Sequence, residues 1–163
     1  MKEFCKGFVY AFCGICRTFW EEKNMRFHFV LSVYMYCYLL IYDFFTLSKG
    51  DWIAIVLATA LVFAAELINT AVEKTVDLCT DEFHPLAKFA KDASAGAVLV
   101  CAIGAVVIGV IVLWQPEAFE KMFAYYKTHI LMFIILLLSV AASVFFVLRT
   151  PKNLLKNKPD RAS

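Results

Sequence analysis

Apolar residues fall in four long blocks. Positions 27–42 are interrupted only by His28 and Ser32, positions 53–65 are uncharged and run on through Leu67 and Ile68, and 93–114 and 130–148 carry no charge. A helix that crosses a bilayer needs about 20 mainly apolar residues, within a range of roughly 17–25. The last two blocks meet this outright. The first two are slightly short, and the first closes near Phe44, Phe45 and Trp52, aromatics of the kind that gather at a membrane interface. The pattern predicts four transmembrane helices, over 27–45, 52–78, 91–114 and 130–148.

Ahead of them, Phe4, Phe8, Phe12, Ile15 and Phe19 recur every three or four residues, while Lys6, Arg17 and Glu21 fall on the other side. At about 100° per residue the apolar set is one stripe roughly 80° wide. Segment 3–22 is expected to be an amphipathic helix lying on a leaflet, with packing against the protein a compatible alternative. The fold class is therefore all-α integral membrane: a surface helix, three core spans and a fourth, C-terminal span.

Composition agrees. The 163 residues are 62% hydrophobic and 18% charged, with mean hydropathy +0.72, whereas soluble domains run at roughly 45–50% apolar and about 25% charged. The net charge of +2 lacks the basic excess of a nucleic-acid binder. Lys and Arg are distributed unevenly: five before position 27, then Lys49 alone, then Lys74, Lys88 and Lys91, then Lys121 and Lys127, then five from Arg149 onward. Positive flanks stay inside. Both termini and segment 74–92 are predicted to be cytoplasmic, and the N-terminus, with acidic residues and no small-residue cleavage site, is not expected to be a cleavable signal peptide.

The cysteines at 5, 13, 16, 37, 79 and 101 are scattered over helices and cytoplasmic segments, where disulfides are disfavoured. Cys13 and Cys16 have metal-ligand spacing but no second pair, and read as small side chains compatible with a membrane.

The second span carries the chemistry. In AAELINTAVEKTVD, positions 64–77, Glu66, Glu73 and Asp77 fall within about 40° of one another, with Asn69 about 60° from Glu66. Counted from Asp51 at 1.5 Å per residue, Glu66 lies roughly 22 Å in, Glu73 roughly 33 Å and Asp77 roughly 39 Å, against a hydrocarbon core of about 30 Å. A carboxylate at the lipid edge suits a base acting on a lipid hydroxyl, and one about two turns further out suits a divalent cation on nucleotide phosphates. The alternative is a polar stripe that only joins helices. Glu82, His84, Lys88, Lys91 and Asp92 fall on the same face, as do Glu22 and Arg26 before the first span, and Ala93, Ser94, Ala95 and Gly96 are small enough to admit a close neighbour.

The runs ELINTAVEKTVD and DEFHPLAKFAKDASAGAVL, with the opening KGFVYAFCGICRTFWEEKNMRFH, resemble the prokaryotic diacylglycerol kinase family over roughly residues 5–114. The resemblance implies a lipid kinase domain over 1–114 and transfer of the γ-phosphoryl group of MgATP to a lipid alcohol. It further implies a homotrimer with shared active sites in a bacterial plasma membrane, the sites facing the cytoplasm. By the same resemblance, Glu66 matches the base and Asn69 the active-site amide; Glu22 and Glu73 match the Mg²⁺ carboxylates. Tyr10, Glu73, Asp77, Glu82, His84, Lys91 and Asp92 match nucleotide-binding positions. Glu66, Ala95 and Arg26 are the candidates for the lipid side of the site.

The resemblance departs in three places. Glu3, beside Lys2, stands where the family often has an Arg. EEKNMRFH, with His28, is similar to the Gram-positive branch, whose preferred acceptor is undecaprenol, with diacylglycerol as the alternative. Residues 115–163 add a span and a basic tail outside the family pattern; that span has no acidic or amide group and is expected to pack or anchor. No GxxxxGK[ST] loop is present, so a conventional nucleotide fold is excluded. The rival readings are a proton-coupled transporter, which would put polar groups through the midplane, and a purely structural assembly protein.

Overall fold

The computed structural model describes residues 2–80 and 82–149, the first four of these by backbone alone. The expectations on Lys2, Glu3, Phe4, Cys5 and the tail lysines therefore lie outside the described side chains. The described residues form six helices and no strand: α1 (Lys2–Glu21), α2 (Lys23–Ile41), α3 (Lys49–Cys79), α4 (Pro85–Leu113), α5 (Pro116–Thr128) and α6 (Ile130–Leu148). By length and composition α3, α4 and α6 can cross a membrane. The chain is an all-α integral membrane protein.

The helix ends follow local chemistry. Ser48 and Asp51 form a reciprocal capping box that starts α3, satisfying two amides that the first turn leaves without carbonyl partners. His84 caps α4, its Nδ1 accepting from the Leu86 amide at 3.2 Å, and Pro85 occupies the first turn, where a missing N–H costs nothing. Glu22 is extended, with φ −98° and ψ 124°, and this one residue separates the surface helix from α2.

Packing orders the long helices as α6, α2, α3, α4, with α1 against the first turns of α2 and the last turns of α3. On α3 one stripe is buried, Ile55, Ala58, Val62, Glu66, Asn69 and Thr70. Its i, i+3, i+4 spacing keeps it on one face, and it changes from apolar to polar toward the C-terminal end.

α2 is the more polar of the bundle helices. Its tyrosines hydrogen-bond sideways at successive levels: Tyr34 to Ser139 at 2.8 Å, Tyr36 to Thr59 at 3.2 Å and Tyr38 to Tyr126 at 2.7 Å. In hydrocarbon a phenol without a partner is costly, so these bonds bind α2 to α3 on one side and to α5 and α6 on the other. α1 turns Phe8, Phe12 and Ile15 outward, each 46–67% exposed. Phe19 packs inward, on Phe29 and Phe146, so the C-terminal end of this helix is held against the protein.

Boundaries differ from the sequence reading by one to three residues at the ends of α1 and α3, and by more for α2, which begins at Lys23, and for α4. α2 ends at Ile41, four residues early, and the chain continues through Tyr42 and the buried Phe44, because stacked aromatics satisfy an apolar environment without being helical. α4 begins at Pro85, eight residues before the apolar block and six before the expected span, so Lys88, Lys91 and Asp92 ride on its first turns. α5 was not expected. It is fastened by Gln115, whose side chain bonds both the N–H and the carbonyl of Thr46 at 3.0 Å.

Candidate active site

The polar end of the α3 stripe meets α1, α2 and α4. Glu66 is 1% exposed, and its Oε1 lies 3.4 Å from Nε2 of His28 on α2. That distance allows an ion pair, but the alignment is too poor for a hydrogen bond, and among the described residues Oε1 accepts none. One turn on, Thr70 donates to the Glu66 carbonyl at 2.9 Å. Asn69 is a bridge: its Nδ2 donates to Glu73 Oε1 at 3.0 Å, and its Oδ1 accepts from Ser94 of α4 at 2.7 Å. The amide is thereby oriented on both sides and aims the Glu73 carboxylate.

Further out, Lys91 pairs with Asp77 across the α3–α4 hairpin. Both line a cavity of about 500 Å³ with Glu82, His84, Lys88 and Asp92, so most of the expected nucleotide positions come together. Phe83 also lines it, an aromatic that the polar pattern did not single out. On the other side of α3, Lys74 reaches Glu22 at 3.4 Å and Glu21 at 3.6 Å, while Arg17 holds Glu21 at 2.8 Å.

Other expected residues are placed apart. Tyr10 is 71% exposed on α1 and lines none of the cavities described here. Ala95 is exposed. A Cβ on Gly96 would meet nothing within 4 Å, so the small residues opening α4 do not serve a close approach within the chain; Ser94 alone makes the contact. Arg26 is 3% exposed, and its guanidinium is spent on the carbonyls of Trp20 at 2.8 Å, Val147 at 3.2 Å and Arg149 at 3.0 Å. It ties the end of α1 to the end of α6.

Glu22 and Glu73 are the carboxylates expected to hold Mg²⁺. Among the described residues there is no group of three or more acidic, His or Cys ligands. Mg²⁺ on a nucleotide commonly takes only one or two carboxylates, the rest being water and phosphate oxygen. Glu22 is a quarter exposed and already carries a cationic partner in Lys74, so its chemistry suits a cation. His28, Lys74 and Ser94 were missed as site residues. The signal for His28 was present, an imidazole at the start of a span, but nothing local says which helix it faces.

The architecture belongs to a known class. The prokaryotic diacylglycerol kinase family model matches residues 9–113, and the chain belongs to that family of lipid kinases, with ATP as phosphoryl donor and a lipid as acceptor. Undecaprenol kinase of Bacillus subtilis is 45% identical over 113 residues, 69% of this chain and 89% of that protein. Diacylglycerol kinase of Synechocystis is 36% identical over 111 residues, 68% of this chain and 62% of that protein. Diacylglycerol kinase of Escherichia coli K12 is 36% identical over 63 residues, 39% and 52% of the two chains. The family match stops where α4 ends, so α5 and α6 are additions to it.

Proposed function

We propose that the chain phosphorylates undecaprenol, moving the γ-phosphoryl group of ATP onto the lipid hydroxyl at the cytoplasmic face of a bacterial plasma membrane. The observation that carries this is the buried α3 stripe, which turns from Val62 to Glu66 and Asn69, at the depth counted above for the edge of the hydrocarbon core. Undecaprenol is favoured by the 45% identity to a protein of that activity over 89% of its length, and by His28 beside Glu66.

In this reading Glu66 takes the hydroxyl proton and Asn69 orients Glu73, while Lys91 leaves Asp77 to neutralise charge on the transferring phosphoryl. Glu22 and Glu73 would hold Mg²⁺, whose contribution is charge neutralisation of the phosphate oxygens. Phosphoryl transfer depends mainly on positioning and electrostatics, so helix ends and side chains are enough. Ala93 and Ala95 are exposed, which leaves small residues at the start of α4 for a second copy to approach, as a homotrimer with shared sites would need.

The test is transfer from radiolabelled ATP with Mg²⁺, using purified protein in detergent and the two lipids in competition. Undecaprenyl phosphate is the expected labelled product. Preferential labelling of diacylglycerol would overturn the acceptor, and no transfer to either would overturn the activity.

A further inference from the structure

A base that takes a proton at every turnover must also lose it, and the Glu66 carboxylate is nearly closed to water, its Oε1 fully buried. Its side chain is 2% accessible, against 17% for His28 across the α2–α3 contact, and the two meet at 3.4 Å. The other charged groups around the pair are committed. Arg26 on α2 is spent on three carbonyls; Glu21 and Glu22, at the junction of α1 and α2, are held by Lys74 from α3; Glu73 on α3 takes its bond from Asn69. α6 brings no titratable side chain. His28, in the second turn of α2, is thus the titratable partner of Glu66 and the more exposed of the two.

We infer that His28 is the outlet for the proton that Glu66 removes from the acceptor hydroxyl, an inference that rests on Glu66 being the base. The hydroxyl O–H bond breaks as its oxygen forms the bond to the γ-phosphorus, and the bond from that phosphorus to the oxygen bridging to ADP breaks. The proton joins a Glu66 carboxylate oxygen, then passes to Nε2 of neutral His28. The imidazolium releases a proton from Nδ1 to water, and solvent exchange restores the first tautomer. The net change is lipid alcohol plus ATP giving lipid phosphate, ADP and one proton. In this role His28 acts through Glu66, so it is a positioning and relay residue.

The experiment measures kcat and both KM values for His28→Ala, His28→Gln and Glu66→Gln in the full-length protein with MgATP and undecaprenol, with and without imidazole in the buffer. His28→Ala and His28→Gln are expected to lose about 100-fold in kcat, the lower end of what a positioned proton-transfer group contributes, with KM for ATP unchanged. Imidazole should restore turnover to His28→Ala, where the ring has left a space. Gln keeps a donor for Glu66 but cannot relay a proton, and its unfolding midpoint shows whether the fold is intact. Full turnover in a folded His28→Gln protein, or a His28→Ala defect that imidazole leaves untouched, would overturn the outlet. Turnover in Glu66→Gln would instead remove the base itself, whereas an inactive Glu66→Gln beside an unimpaired His28→Gln removes only the relay.

Discussion

Arg26 offers a direct test of how the added helix is held. Its guanidinium donates to carbonyls in or just past the last turns of two helices, Trp20 of α1 and Val147 and Arg149 at the end of α6. Helix C-termini leave carbonyls without amide partners and carry partial negative charge, so one cation satisfies both ends. Replacing Arg26 by Met keeps the apolar stem and removes the charge. Each hydrogen bond from a charged donor is worth about 1.5–3 kcal/mol, but not all of that is lost. The Trp20 and Arg149 carbonyls are only part-buried and can find water, whereas the contact to Val147 is buried. Removing a buried guanidinium whose Nε has no partner also relieves a desolvation cost. The net loss is then about 2–4 kcal/mol, one stranded carbonyl at about 1–3 kcal/mol plus part of the other two. Reversible unfolding by SDS titration in mixed micelles reads this directly. Arg17→Met removes an exposed cation paired with Glu21, and as a surface pair it should change stability by less than about 1 kcal/mol. An Arg26→Met loss no larger than that of Arg17→Met would refute the reasoning.

Two further outcomes are expected. Lys91→Met should lower kcat by about 10²–10³-fold, the scale seen when one preorganised charge stabiliser is removed, and a steady-state assay in which only KM rises would show that Lys91 binds nucleotide without acting on the transition state. Burial, with the hydrogen bond to Tyr38 adding to it, pushes the Tyr126 phenol up to about 12. Because the folded value is raised, the contribution of Tyr126 is whole below its ordinary value of 10.0 and is lost as pH rises toward 12. An ultraviolet phenolate titration should therefore show a late step that Tyr126→Phe removes, and identical curves for the two proteins would contradict it.

What could be read from the chain alone is what depends on neighbours in sequence. The apolar block at 130–148 has the same bounds as helix α6, since an uncharged, mainly apolar run with polar residues beyond it marks its own ends. The i, i+7, i+11 spacing put Glu66, Glu73 and Asp77 on one face of α3, because a helix rotates by a constant angle per residue whatever surrounds it. Spacing gives an azimuth on one helix, however, and not the identity of the helix across from it. That Glu66 meets His28, that Asn69 joins Glu73 to Ser94, and that Arg26 turns away toward α6 all follow from the packing order α6, α2, α3, α4. The same order explains why a Tyr-rich segment with Lys23 and Arg26 at its start is a bundle helix: three of its phenols and part of its guanidinium are bonded by residues about 20 to more than 100 positions away. Local hydropathy counts those groups as a cost of entering the membrane, and only the tertiary structure supplies the partners that remove it.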